Sequence, residues 1–562
     1  MSSMGPTASK ISPAVLAAKK LKKLRNAQWR NNVEYFFAAC VGIFVLAYIL
    51  SELRLRLARK SKTRSRLQAL LNLTKRAALC SFKVPLVRCR VYLPMLLLWP
   101  LVLTFLGAAF LVHTQNFTIT TIASRTGQVG AACLPPLFFL SMKNSPIALL
   151  IGSSHEKLNI VHRWTGRTVV TTFLVHTITY CVGYAKQGKL VQLRRLSNIY
   201  GMAAFAAMLL LAVSSISMAR RRHYELFYVL HWVFTILTLA FAWFHDSDNI
   251  PYVKASAGII AGDLVLRIIR VLLAAPYSGA ELANINEDLV SLTIPRPRFG
   301  PMRTWVPGSH AFLNIPSVTG FHQHHPFTIC SIPEDGHIRF VIKKQKGFTD
   351  ALHKRDVGTV RCLVDGPYGS LEMTRFALFP KVLLIAGGVG ITFALPVLRS
   401  LLSRKTPPEA ITFIWSTNNV STFKYFEQEL RAVQASHEAS TSKVELKVKL
   451  VFTSRLVSSS SSINSESEVS ADIGTDQEKW PVTKDLNEKT YFTETPSKSL
   501  FEYVSGRISL TNTVAEELQH IERLAIGVCG PNKLILDAKN TISAQLASSG
   551  KDIFLYTEEF EW

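Results

Sequence analysis

The 562-residue sequence predicts a polytopic α-helical membrane domain of about seven spans, followed by a β-rich segment and then an α/β segment on a parallel sheet. Three observations carry this. Apolar windows of about 20 residues, the length that crosses a ~30 Å hydrocarbon core, recur up to residue 276. Basic charge is concentrated early: residues 1–90 hold 19 Lys and Arg and only two acids, Glu34 and Glu52. Beyond residue 276 the texture changes to short β-rich runs with Gly/Pro turns, then from Val382 to alternating strands and helices, the pattern of a parallel sheet.

Composition narrows the class. A chain this long suggests three or four domains. It is 48% hydrophobic and 18% charged with a net charge of +26, which excludes disorder, collagen and a small disulfide scaffold. The basic runs flank apolar stretches, as positive-inside flanks do, so they speak for a bilayer and against nucleic acid. The eight cysteines are scattered without a CxxC pair, so no zinc or disulfide framework is expected. Residues 1–33 form a basic tail unlike a signal peptide, and the N-terminus is expected to be retained.

The spans are placed near 34–51, 91–113, 129–151, 159–184, 201–218, 225–245 and 252–275. The third contains Lys143 and several prolines, and the seventh Asp263, Arg267 and Arg270. With the C-terminal half in the cytosol, the basic loop 52–90 and Arg220 to Arg222 also lie inside, as the charge rule prefers. The sequon at Asn116 then faces outside, and so does the basic tail, against the rule. Lys186, Lys189, Arg194 and Arg195 fall on an outer loop that either meets lipid headgroups or attracts anionic chelates. The Ser/Glu/Thr-rich stretch 456–500 reads as a disordered insertion between strands.

Ionisable residues inside spanning helices are costly and mark function by default. His162 and His176 lie fourteen residues apart on the fourth span, and His231 and His245 have the same spacing on the sixth. Fourteen residues is close to four turns and ~21 Å of rise, so each pair shares a face near opposite sides of the bilayer. The two spans run in the same direction, which levels His162 with His231 near the cytosol and His176 with His245 near the outer side. Such cross-helix pairs can fill both axial positions of two haem irons. Copper or zinc is the other metal chemistry imidazole suits, with bis-His haem the preferred reading. His113, His155 and His223, at span ends without matched partners, read as structural.

A relay from nicotinamide to haem needs a flavin, because hydride carries two electrons and haem iron accepts one. His325-Pro326-Phe327-Thr328 offers a flat side chain and a hydroxyl for the isoalloxazine and ribityl groups. Lys343, Lys344, Gly347 and Thr349 suit its pyrophosphate. Downstream, Gly366-Pro367-Tyr368-Gly369 precedes an apolar strand that runs into Gly387-Gly388-Val389-Gly390-Ile391-Thr392. A strand, Gly-rich turn and helix N-terminus form a phosphate cradle, although this is not the strict GxGxxG pattern. Cys529-Gly530-Pro531 after a second strand places a thiol where a nicotinamide approaches, or is a buried Cys at a strand end. Arg455 is a candidate for a 2′-phosphate or a surface Arg. The terminal Phe560 and Trp562 can stack on a flavin and be displaced by nicotinamide, or serve as apolar anchors.

Taken in order, HRWTGR (His162 to Arg167), His176, HYELFYVLHW (His223 to Trp232), His245, HPFT, GPYG, GGVGIT and CGP resemble the ferric reductase and NADPH oxidase superfamily, fungal ferric/cupric-chelate reductases above all. The resemblance spans roughly 91–562. It implies a haem-bearing membrane domain (34–276), an antiparallel FAD-binding β-barrel (277–375) and an α/β NADPH-binding domain (376–562), ferredoxin-reductase-like in fold. It also implies two b-type haems ligated by His162, His176, His231 and His245. FAD would sit at His325 to Thr328, and NADPH at Gly387 to Thr392 and Cys529 to Pro531. Two departures stand out: the long extracytoplasmic N-terminal region of many fungal members is missing, and Trp415-Ser416-Thr417-Asn418 lacks an Arg for a 2′-phosphate.

The resulting expectation is electron transfer from cytosolic NADPH through FAD and two haems to an extracytoplasmic Fe(III) chelate, with Cu(II) as a further acceptor, serving metal uptake and its downstream iron-uptake partners. The plasma membrane is the expected location, with vacuolar and endoplasmic reticulum membranes as alternatives. The rival readings are an NADPH oxidase that reduces O₂ to superoxide and a non-catalytic membrane subunit.

Overall fold

The computed structural model describes residues 12–58, 72–73, 75–76, 79, 81–84, 89–92, 118–274, 277–319, 323–355, 357–369, 371–440, 444–453, 501–519 and 521–559. The expected second span, the Asn116 sequon and the 456–500 insertion lie outside the described residues, the span except for its first two positions.

The membrane half is helical. Helix α1 (Pro13–Ala58) is followed by α2 (Ile119–Ala132), α3 (Leu134–Ser141), α4 (Pro146–Leu150), α5 (His155–Lys186), α6 (Leu196–Ser214), α7 (Ser217–Arg222), α8 (Tyr224–His245) and α9 (Ile250–Ala274). Among the described residues, four segments are helical, long and apolar enough to cross a membrane: Asn31–Arg56 within α1, and α5, α6 and α8.

Two of the expected spans differ from the sequence reading. The third window is not one helix: α2 ends at Cys133, prolines open both α3 and α4, and Met142 to Ser145 connect them. Proline lacks the N–H that an uninterrupted helix needs but suits a first turn. The seventh window is a single 25-residue helix, α9, whose charges are used at a domain junction. Asp263 accepts from the Asn144 backbone N–H (3.1 Å), Arg270 donates to Asn144 Oδ1 (2.7 Å) and Pro367 O (3.4 Å), and Arg267 lies 3.6 Å from Asp365.

Helix α1 continues past its apolar stretch to meet the C-terminal half of the chain. Its C-terminal end joins the nucleotide half: Leu55 is buried in the core of the second sheet, Glu52 and Ser51 bind Arg375, and Arg54 lies 3.4 Å from Asp552. The basic run from Lys19 to Arg30 belongs to the same helix and extends from the opposite end.

A short hairpin, β1 (Ser81–Val84) and β2 (Cys89–Tyr92), precedes the membrane bundle. After α9 comes an antiparallel sheet of β3 (Tyr277–Asn284), β4 (Leu289–Pro295), β5 (His310–Asn314), β6 (His325–Thr328), β7 (His337–Lys343) and β8 (Gly358–Tyr368), in the order β6-β5-β8-β3-β4-β7. Helices α10 (Pro316–Thr319) and α11 (Phe348–His353) lie in its connections. One bridge, Ile329 to Phe340, links the continuation of β6 to β7 at the other edge. Its core includes Leu282, Leu292, Ile294, Leu313 and Phe340.

The last unit is a six-stranded, all-parallel sheet of β9 (Lys381–Gly387), β10 (Ala410–Thr417), β11 (Glu445–Phe452), β12 (Phe501–Ser505), β13 (Arg523–Gly530) and β14 (Asp552–Glu559), in the order β12-β11-β10-β9-β13-β14. Helices α12 (Ile391–Leu402), α13 (Val420–Glu438), α14 (Leu510–Leu518) and α15 (Asn532–Ser548) connect the strands. Strands such as Val382 to Ala386 are buried throughout and read as unbroken apolar runs, as a sheet covered on both faces requires. The strand order reverses between β9 and β13, where doubly wound sheets bind ligands at their carboxyl ends.

Candidate functional site

The four histidines share one arrangement. In each, Nδ1 meets an oxygen of the helix packed alongside: His162 with Leu137 O (2.9 Å), His176 with Ala123 O (2.7 Å), His231 with Ser215 Oγ (3.1 Å) and His245 with Ser197 O (2.8 Å). Such a contact fixes the ring and leaves Nε2 as the outward nitrogen, the way metal-binding imidazoles are held by their outer partners. α2 and α3 serve α5 in this way, and α6 serves α8.

His176 and His245 face each other with ring centroids 6.2 Å apart and planes at 84°. Space for the rings depends on glycine. A Cβ on Gly127 of α2 would collide with the His176 ring, and one on Gly201 of α6 with the His245 ring. Among the described residues no group of three or more His, Cys, Asp or Glu is placed to hold a metal. A four-coordinate zinc site needs three or four protein donors, so paired imidazoles fit a haem iron, whose other ligands belong to its macrocycle.

The flavin motifs converge on β5. His310 pairs in register with Thr328 of HPFT on one side and Tyr368 of GPYG on the other. All three are buried. His325 stacks on Phe348 (4.4 Å, 22°). Gly347 adopts a left-handed φ of +87° at the start of α11, and the Thr349 hydroxyl is engaged locally by the backbone N–H (2.7 Å) and C=O (2.9 Å) of Gln345. Lys343 is exposed at the end of β7. Gly366 passes so close to Ala311 that a Cβ there would clash, and Gly369 lies against Ser309 and Met373.

At the second sheet, Gly387 to Gly390 and Cys529 to Gly530 meet where the strand order reverses. Gly388 has φ +55°, which favours glycine. A Cβ on Gly390 would strike the Cys529 carbonyl, and Gly387 and Gly530 lie back to back. Thr392, at the start of α12, donates to Val389 O (2.9 Å). Burial, and then the nearby Glu558, push the Cys529 thiol well above its ordinary range, so it stands there as a neutral thiol. Arg455, Phe560 and Trp562 lie outside the described residues.

The sequence reading passed over several residues the fold brings forward. Gly127, Gly201 and Ser215 shape the histidine pockets; an unexplained Gly within a helical run was the available signal. His155, read as structural, packs its ring on Tyr368 (5.5 Å) and joins Glu156 and His310 at the junction of the membrane bundle with the first sheet.

Three family models match in chain order: the ferric reductase like transmembrane component over 126–242, an FAD-binding domain over 274–372 and the ferric reductase NAD binding domain over 379–543. The chain is 27% identical over 505 residues to ferric/cupric reductase transmembrane component 2 of Schizosaccharomyces pombe, covering 80% of this chain and 82% of that protein. It is 31% identical to ferric reductase transmembrane component 1 of the same yeast, over 55% of this chain and 62% of that protein. It is 26% identical to ferric reductase transmembrane component 4 of Saccharomyces cerevisiae, over 78% and 62%. The chain thus spans less than two thirds of the latter two relatives. Among solved structures, the flavohemoglobin of Malassezia yamatoensis aligns over 78% of this chain and 98% of its own with 17% identity and a TM-score of 0.37, too loose a likeness to build on.

A helical membrane domain joined to FAD- and NAD-binding domains is the architecture of a transmembrane oxidoreductase. This chain belongs to the ferric reductase superfamily.

Proposed function

We propose that this protein is an NADPH-dependent ferric-chelate reductase, with Cu(II) chelates as further acceptors, that carries electrons across the membrane. The observation that carries the reading is the common posture of His162, His176, His231 and His245, each with Nδ1 held by an oxygen of a neighbouring helix, which leaves Nε2 as the nitrogen for a metal. In this reading the inner pair, His162 and His231, and the outer pair, His176 and His245, each hold one haem b.

Gly387 to Thr392 and Cys529 to Gly530 bind and orient NADPH, with Arg455 at the 2′-phosphate and Phe560 and Trp562 over the flavin. His325 to Thr328, Gly366 and Gly369 hold FAD, with Lys343, Gly347 and Thr349 toward its pyrophosphate. The first sheet, bridged from edge to edge at Ile329 and Phe340, is read as the FAD-binding barrel. Domain limits are set at 34–276, 277–375 and 376–562. Bound FAD supplies hydride acceptance and single-electron release, and bound haem supplies the relay between membrane faces. His176 and His245 would hold the outer haem between them and leave the acceptor to be reduced at its edge, and the plasma membrane would suit an extracytoplasmic metal chelate.

The test uses purified protein in liposomes with FAD and NADPH on the nucleotide-domain side. Anaerobic reduction of Fe(III)-citrate on the far side, with little superoxide in air, is the expected result. Superoxide at comparable or greater rates with slow anaerobic iron reduction would move the protein to the oxidase branch.

A further inference from the structure

The junction between the membrane bundle and the first sheet contains three titratable side chains that the relay of electrons does not use. His310 Nε2 and His155 Nδ1 both stand 2.9 Å from the same oxygen of Glu156, Oε1. Neither approach to Oε1 has the alignment of a good hydrogen bond, a slack common in catalytic contacts before substrate is bound. Side-chain exposure rises from 6% at His310 to 13% at His155 and 20% at Glu156, so the group leads from the interior toward solvent. Glu156 lies in the first turn of α5, whose 32 residues make it ~48 Å long. That exceeds the ~30 Å hydrocarbon core, which leaves room for the first turn to stand clear of the bilayer on the nucleotide-domain side.

The neighbours of this group are already engaged. Lys157 pairs with Glu372 and lies over the Tyr556 ring, Lys143 lies over the Phe312 ring, and Tyr556 donates to Glu558 (2.7 Å). Lys143, Lys157, Tyr368, Tyr556, Glu372 and Glu558 are among the charged or titratable groups that face the cluster from the surrounding elements. Among the described residues, Glu156 makes its ion-pair contacts with two imidazoles and with no Lys or Arg.

The chemistry proposed above leaves a proton to be placed. A hydride brings two electrons and one proton to the flavin. Two one-electron transfers to haem remove the electrons, and for each NADPH oxidised one H⁺ remains in a buried junction. Electron and proton then part, the electrons outward and the proton back to the nucleotide-domain side.

We propose that His310, Glu156 and His155 form the exit for this proton: His310, held between Thr328 and Tyr368, takes it and passes it from Nε2 to Glu156, which is the most exposed of the three and hands it to solvent with His155 on the same oxygen. This rests on the assignment of FAD to the HPFT and GPYG motifs.

The test uses full-length protein in nanodiscs, loaded with FAD and haem, in weak buffer with a pH indicator. Anaerobic bleaching of the flavin by NADPH reports hydride arrival, which precedes proton release. Flavin reoxidation on mixing with Fe(III)-citrate, and the indicator signal, report electron and proton departure. Glu156→Gln is expected to keep flavin content and bleach within about two-fold of the wild-type rate. Its reoxidation and indicator phases are expected to slow together by ten-fold or more, with partial recovery in added formate, while Glu156→Asp stays close to wild type. If Glu156→Gln loses flavin, His155→Asn carries the same comparison. Unchanged reoxidation and indicator phases in a flavin-loaded variant overturn the proposal. A wild-type protein that binds no flavin overturns the FAD assignment, and the proposal falls with it.

Discussion

His176 on α5 and His245 on α8 face each other at 6.2 Å with nearly perpendicular rings, although 68 residues separate them in the chain. Each is backed by a glycine of the adjoining helix, Gly127 and Gly201, and the pair is only as well placed as those two backbones allow.

Gly127→Ala and Gly201→Ala should therefore displace an outer imidazole. The new methyl would overlap the ring itself, so overpacking of about 1–3 kcal/mol is expected. Haem per polypeptide, read by pyridine haemochrome, should fall toward half while NADPH still bleaches the flavin. Full haem content in both variants would refute the pocket assignment.

His176→Ala and His245→Ala should stop electrons beyond the inner haem. Flavin reduction by NADPH is expected to persist, with Fe(III)-citrate reduction down by at least 100-fold. Wild-type reductase rates in either variant would remove these residues from the ligand set.

At the other end of the relay, Gly390→Ala would drive a methyl into the Cys529 carbonyl, a backbone contact that cannot rotate away. The KM for NADPH should rise ten-fold or more, a loss of about 1.4 kcal/mol, with flavin and haem spectra unchanged. An unaltered KM would show that this turn does not shape the nucleotide site.

The union of α1 with the nucleotide half rests on Arg375, which binds Glu52, reaches Ser51 (3.2 Å) and lies over Tyr48 (5.3 Å). Removing one partner of a mostly buried charged contact costs about 2 kcal/mol. Arg375→Ala and Glu52→Ala should each lower the Tm, and the double variant should lose clearly less than the two losses combined. Strict additivity would mean the pair does not couple the two halves.

His324 supplies a pH test. Its Nδ1 is buried without a hydrogen-bond partner among the described residues. Burial, helped by Lys143 and Arg267, holds its pKa at about 4, below the ordinary 6.5. The unfolded chain thus binds the extra proton first. This residue's contribution to stability is complete above pH 6.5 and is lost as pH falls from there through 4. The Tm of flavin-free wild type minus that of His324→Asn should decline over this window, and a flat difference would contradict the depressed value.

Much of the fold was legible because it is written in local periodicity. Fourteen-residue spacing sets His162 with His176, and His231 with His245, along helix faces whatever else the chain does. The run Val382 to Ala386 into glycine announces a strand and a phosphate turn by the same local logic. The third window misled because hydropathy averages over Pro135, Pro136 and Pro146, which interrupt the backbone without lowering the apolar content. Glu156 and His155 gave no signal, since a His-Glu pair at a helix start looks like an ordinary first turn.

By itself, then, the sequence determined a membrane-spanning chain with paired histidines, a β-rich unit and a parallel α/β unit, for these follow from composition and spacing along one segment at a time, while the oxidoreductase class rests on the resemblance of its ordered motifs to a known family. Only the tertiary structure decided which oxygen tethers each imidazole, that Gly127 and Gly201 make room for His176 and His245, that α1 ends in the nucleotide half, and that His310 meets Glu156 across a domain boundary. Those contacts join residues tens to hundreds of positions apart. They depend on close packing between elements, which discriminates by single methyl groups and leaves no periodic trace in the chain.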